Sequence, residues 1–263
     1  MTESLRPQAQ HLLREPDVVR KAEGTRALDL RLPVGAEEVL DEPAGIPGRP
    51  PRPLLVPPAQ LEQRAVGTPA GRAALIHALA HIELNAIDLA LDVVWRFPGL
   101  PEDFYRAWLV VAQEEALHFQ LLAEHLRSLG HAYGDFPAHN GLWEMAEKTK
   151  HDLLARIALV PRTLEARGLD ASPPIRDKLR RVGDQRAAEI LDVILRDEIG
   201  HVRLGNQWYR RLCQARGLDP VATYERLARE HRAPALRGPF NLQARRLAGF
   251  EEEELAALGK RGG

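Results

Sequence analysis

The chain of 263 residues carries 36 Lys and Arg against 37 Asp and Glu, so its formal net charge of −1 gives no global basic field for nucleic acid or an anionic membrane. Hydrophobic residues make up 44%, the composition of an ordinary globular protein long enough to bury a sizeable core. Cys213 is the single cysteine, which excludes an intrachain disulfide and cysteine-based zinc or iron–sulfur sites.

The N-terminal residues lack the apolar core of a signal peptide, and no run approaches the ~18 apolar residues of a membrane span. A cytoplasmic protein without a membrane partner is the expectation. Residues 1–67 read as an extension, partly irregular and proline-rich, with short helices expected near residues 8–13 and near Leu61. The run IPGRPPRPLLVPP at 46–58 is too proline-dense for helix. It is expected to lie extended, with Leu54, Leu55 and Val56 as apolar anchors; a PxxP-type recognition segment is the alternative.

Residues 68–214 predict an all-α domain of four helices. Thr68-Pro69 offers an N-cap and a first-turn proline, after which Leu75, Leu79, Ile82, Ala86, Ala90 and Val94 recur at helical spacing. The second helix starts at Pro101 and runs to Gly130, with Trp108, Val111, Glu115, His118 and Leu122 on one face. A loop at 131–140 leads to a third helix, 141–167, carrying Leu154, Ala158 and Glu165 and kinked by Pro161. Gly168 and Pro173-Pro174 predict an irregular connection with a short extra helix at 175–181. The fourth helix begins near Asp184, or earlier near Ser172, and presents Ile190, Ile194, Glu198, His201, Gly205 and Trp208 along one stripe. Residues 215–263 are expected to pack on this domain as a helical extension.

Two copies of Glu-x-x-His, Glu115/His118 and Glu198/His201, stand out from this background. Each follows a lone glutamate at nearly equal distance: 115 − 83 = 32 for Glu83 and 198 − 165 = 33 for Glu165. Positions three apart share a helix face, so a carboxylate and an imidazole can grip one ion there. The midpoint of 83 and 115 is 99, and Gly99 sits in the predicted turn, so an antiparallel hairpin would set Glu83 and Glu115 level. For Glu165 and Glu198 the midpoint falls near Gly183. Glutamate oxygens and imidazole nitrogen in this mixture suit iron or manganese, and four carboxylates balance two divalent ions. Buried without metal, four carboxylates would have to take up protons or cost many kcal/mol.

Other assignments stay open at this point. Each glutamate could be an exposed helix residue, and Glu114 could replace Glu115 by pairing with His118 across one turn. His77 and His81 could pair on a metal, but His81 lies two positions from Glu83, about 200° around the helix; surface or supporting histidines are the simpler reading. Asp192 and Asp197 are candidates for orienting an imidazole. Tyr105, Tyr209, Trp108 and Trp208 are candidates for electron transfer, with core packing as the default.

This layout resembles the ferritin-like di-iron superfamily, an antiparallel four-helix bundle, here with an extended N-terminal segment and a C-terminal helical extension. The stretches ALVPRTLEARGLD, ILRDEIGHVRLGNQW and GPFNLQARRLAGF are similar to a bacterial ferritin-like family known as domain of unknown function 455. The layout is also similar to the di-iron tRNA hydroxylases of the MiaE type. The resemblance implies metal ligands Glu83, Glu115, His118, Glu165, Glu198 and His201 and two Fe ions, with Mn or mixed Mn/Fe as alternatives. It implies an oxidoreductase activating dioxygen to oxidise or hydroxylate a small molecule or modified nucleoside, with tRNA a candidate carrier and a homodimer a candidate assembly. Ferroxidase or metal handling without an organic substrate is the alternative, and a non-catalytic metal-stapled interaction protein is a third.

Overall fold

A computed structural model describes residues 4–261, with side chains described through 258. All regular elements among these residues are helical, and one isolated parallel bridge joins Leu55 to Ala138. The chain separates into two compact units, Met1–Gly141 and Leu142–Gly263.

The first unit is built on a hairpin of α3 (Pro69–Arg96) and α4 (Glu102–Ser128), preceded by α1 (Leu5–Arg14) and α2 (Val18–Arg26). Thr68 Oγ1 accepts from the Gly71 N–H at 3.1 Å and Pro69 fills the first turn, so α3 starts where its cap chemistry dictates. The chain reverses at Gly99, whose φ of +76° favours glycine. Tyr105 closes this turn: its hydroxyl accepts from the Leu100 N–H at 3.0 Å and donates to the Phe97 carbonyl at 2.8 Å. By length and apolarity α3 could cross a bilayer, which the sequence reading did not anticipate. Of its most apolar window, however, 78% is buried inside the protein, as in a core helix.

The N-terminal segment is more ordered than its prolines suggest. α1 buries Leu5, Ala9 and Leu13. Its Arg6 is fully buried and donates to the Val94 and Trp95 carbonyls at 3.0 and 2.6 Å, satisfying acceptors left open at the end of α3. α2 was not foreseen, because VVRKAEGTR has no apolar period; Asp17 caps it, and Lys21 pairs with buried Asp88 of α3 at 2.5 Å. Near Leu61 there is only a single 3-10 turn, Pro58–Gln60. The proline run does lie extended, but Leu54 and Leu55 are 69% and 38% exposed and do not anchor it. Its backbone does so instead, with Val56 N donating to Ala138 O at 2.8 Å and Ala138 N to Leu54 O at 3.0 Å.

In the second unit the predicted third helix is broken into α5 (Gly141–Lys148), α6 (Leu153–Leu159) and a π-helical turn, Val160–Glu165. Pro161 lies in that turn, where the Thr163 hydroxyl donates five residues back to Ala158 O at 2.7 Å. The chain then continues without interruption as α7 (Ala166–Arg181) through Gly168, Pro173 and Pro174, where a break had been expected. Pro173 has no N–H for the Leu169 carbonyl, and Asn241 Nδ2 donates to it at 3.2 Å in its place. The turn falls at Gly183, φ +84°, and Asp184 caps α8 (Gln185–Ala215).

α9 (Pro220–Glu230), α10 (Leu242–Leu247) and α11 (Glu252–Arg261) follow. Ala244, Ala248, Phe250, Leu255 and Leu258 form a core with Ala166, Leu169 and Val202. Arg162 of the π turn faces Tyr209, Tyr224 and Phe250 at 4.7, 4.8 and 5.2 Å, pairs with Glu254, and donates to Asn206 Oδ1 at 2.8 Å.

Gly205 lets the π turn approach α8, since a Cβ there would stand 2.9 Å from Pro161 Cβ. Gly200, on the same helix, has nothing within 4 Å of the corresponding position. Alanine at Gly200 is therefore expected to stabilise the protein by up to about 1 kcal/mol through helix propensity. Alanine at Gly205 is expected to lose roughly 1–2 kcal/mol net, because overpacking outweighs that gain. Urea midpoints of the two variants measure the contrast; equal shifts would show that the contact is slack.

Candidate metal centre

Glu83 lies near the middle of α3, and Glu115 and His118 lie near the middle of α4. The turn at Gly99 brings the two helices level there, as the spacing requires. The Glu83 side chain is 4% exposed and those of Glu115 and His118 are fully buried. His118 Nδ1 stands 3.2 Å from both Glu83 Oε2 and Glu115 Oε2, and one ligand atom from each residue lies within 4.8 Å of the other two.

The local electrostatics follow from this crowding. Burial and the neighbouring Glu115 carboxylate push Glu83 up to about 8. Burial acts to lower the His118 pKa, but hydrogen bonds to Glu115 and Glu83, with their charges, outweigh it and carry it up to about 12. At neutral pH both Glu83 and His118 are therefore expected to carry a proton. A divalent cation bound by the three deprotonated groups would meet a donor set of charge −2, so the residues fit such an ion.

In the second unit Glu198 and His201 are buried one turn apart on α8, with His201 Nδ1 3.9 Å from Glu198 Oε2. Glu165 ends the π turn, which packs on α8, and is half-buried. Glu114 is half-buried beside the triad and is not among the three residues gathered there.

The remaining candidates have other partners. Asp192 is paired with Arg176 and Arg180 at 3.0 and 2.5 Å, and Asp197 with Arg196 at 2.8 Å. Tyr209 donates to the Pro220 carbonyl at 2.6 Å, and Trp208 stacks on Arg211.

His77 and His81 are not surface residues. Both are buried around Tyr133 of the loop that follows α4. His81 Nδ1 meets the Tyr133 hydroxyl at 2.7 Å, His81 Nε2 meets the His139 carbonyl at 3.0 Å, and His77 Nε2 accepts from the Gly134 N–H at 2.9 Å. Tyr133 was missed by sequence reading. The signal in the sequence was the i, i+4 spacing of the two histidines, which puts both imidazoles on one face of α3.

Burial lowers both imidazoles to about 4. An unfolded histidine takes a proton as pH falls through about 6.5, whereas these two resist until about 4. Each therefore contributes stability that is complete above pH 6.5 and is lost towards pH 4, by about 1.4 kcal/mol per pH unit. Relative to the wild type, His77→Gln is expected to show a shallower loss of stability between pH 6.5 and 4.5. Parallel pH profiles from urea denaturation would contradict this.

A family described as "Protein of unknown function (DUF455)" matches residues 14–256. An uncharacterized protein of Haemophilus influenzae is 50% identical over 213 residues, 78% of this chain and 74% of the relative. No solved structure matches the chain.

Proposed function

The chain belongs to the DUF455 family, and we propose that it is a di-metal carboxylate protein of the ferritin-like kind, using two iron ions to activate dioxygen and oxidise an organic substrate. The observation that carries the reading is the buried Glu83–Glu115–His118 triad, whose three donor atoms already converge. Three ionisable groups buried together are costly unless something compensates them, and a divalent cation is the natural compensation. In this reading Glu83, Glu115 and His118 hold one ion, and Glu165, Glu198 and His201 hold a second. Manganese accepts the same donors. When bound, the ions supply the electrons for reduction of dioxygen. The protein supplies the carboxylates and the imidazoles, and on α3 and α4 it buries an apolar side chain one helical turn from each donor: Leu79 and Ile87 on either side of Glu83, Phe119 after Glu115 and Leu122 after His118.

The proton inventory tests this directly. Metal uptake requires His118 to lose its proton and, below about pH 8, Glu83 to lose one as well. At pH 7 an ion bound by the triad is expected to displace protons from both His118 and Glu83, and log affinity is expected to rise with pH, less steeply above about pH 8. Anaerobic Fe(II) titration in lightly buffered solution reads both quantities. No proton release, or a pH-independent affinity, would contradict the reading. Oxygen uptake after loading then separates the oxidase reading from a structural metal.

A further inference from the structure

The charge of this chain is unevenly divided. Residues 1–141 hold 13 Lys and Arg against 19 Asp and Glu, and residues 142–263 hold 23 against 18, so the near-neutral total is −6 in the first unit and +5 in the second. Most arginines of the second unit are committed. Arg156 and Arg162 are buried, Arg176 and Arg180 pair with Asp177 and Asp192, Arg226 pairs with Glu230, and Arg245 pairs with Asp170.

Arg167, Arg229, Arg232 and Arg237 differ: all four are exposed, and no carboxylate among the described residues pairs with them. They gather round one loop. Arg229 and Arg232 line a cleft with Tyr224, and Arg167 and Arg237 line its neighbour with Phe240; both clefts share Pro234, Ala235 and Leu236. The two acidic side chains at these clefts are Glu225 and Asp170, and Asp170 is held by Arg245 at 2.6 Å. Arg232 also has φ of +51°, a left-handed conformation that costs a non-glycine residue of order 1 kcal/mol. Glycine would serve that turn better, so the arginine is not there for the backbone.

We infer that this loop surface binds the phosphodiester chain of a single-stranded nucleic acid. Four guanidiniums divided between adjacent clefts suit successive phosphates rather than one anion, and a half-buried aromatic residue, Tyr224 or Phe240, lines each cleft beside them. The surface lies within the second unit and does not depend on the metal-centre reading.

The test is fluorescence anisotropy of the full chain with a labelled oligouridylate on the order of fifteen nucleotides long. Four phosphate contacts predict a log–log salt slope near −2.8, so affinity should fall about fiftyfold between 50 and 200 mM salt. Replacing all four arginines by glutamine should abolish binding and leave the circular dichroism unchanged. Arg232→Gly guards against misfolding: it should relieve the strained turn, hold or raise the melting temperature, and reduce the salt slope by about 0.7. Absence of binding at 50 mM salt, binding unaffected by the quadruple variant, or binding only to anionic vesicles would each overturn the proposal.

Discussion

Glu115→Ala is expected to abolish metal binding by the α3–α4 hairpin while leaving the fold intact. Glu115 is one of only two carboxylates in the triad, and its loss leaves His118 with Glu83 alone, a donor set of charge −1. Changing groups that merely support metal ligands costs ten- to a hundredfold in affinity, so deleting a direct ligand is expected to cost more than about a hundredfold. The consequence is thermodynamic as well. A metal at a hundred times its Kd stabilises the wild type by about 2.7 kcal/mol, and the variant should show none of that increment. Metal-free, the variant should melt close to the wild type, because it removes a buried acid and leaves the histidine paired. Glu114→Ala, on the neighbouring half-buried residue, should retain the metal-dependent rise and so settles which of the adjacent glutamates is the ligand. Calorimetric melting with and without anaerobic Fe(II) or Mn(II) reads all three proteins; a full metal-dependent rise in Glu115→Ala would remove this residue from the site.

The largest stability loss is expected at Arg245→Ala. This guanidinium is completely buried, grips Asp170 through Nε at 3.0 Å and Nη2 at 2.6 Å, and lies near the rings of Phe240 and Phe250. Asp170 also accepts from the Asn241 N–H at 2.8 Å, so one carboxylate fastens both ends of the first turn of α10 to α7. Removing the arginine strands a largely buried carboxylate and empties a large volume between two aromatic rings, for an expected loss of 3–5 kcal/mol, of order what breaking a buried pair costs. Asp170→Asn/Arg245→Leu should recover part of the loss, because no unpaired charge remains. Denaturant midpoints test both; a loss below about 1 kcal/mol in Arg245→Ala would show that the pair is dispensable.

These two sites differ in how far the sequence disclosed them. The α3–α4 hairpin was legible because Thr68-Pro69, Gly99 and Gly130 punctuate it and because a 32-residue spacing about Gly99 levels Glu83 with Glu115. Local chemistry decided that geometry. The third and fourth helices were less legible. Pro173 and Pro174 read as a break, and what sustains α7 through them is Asn241, a donor from a segment 68 residues beyond Pro173 (241 − 173). No local pattern contains that information. α2 was invisible for the opposite reason, since the residues it buries are Lys21, Ala22 and Thr25, with Lys21 paired to Asp88 of α3, rather than a large apolar face. The arginines 156, 162, 167, 176, 180 and 181 read as one basic cluster, yet burial and ion pairing claim four of them and leave Arg167 and Arg181 exposed. The sequence cannot show which charges are already spent.

Metal content tests the di-metal reading most directly. Protein prepared without chelators or metal-affinity steps, then loaded anaerobically with Fe(II) and desalted, is expected to retain two ions per chain. Glu115→Ala/Glu198→Ala should retain none, with unchanged helix content. A wild-type protein that holds no iron or manganese, or a double variant that still holds two ions, would contradict the di-metal reading.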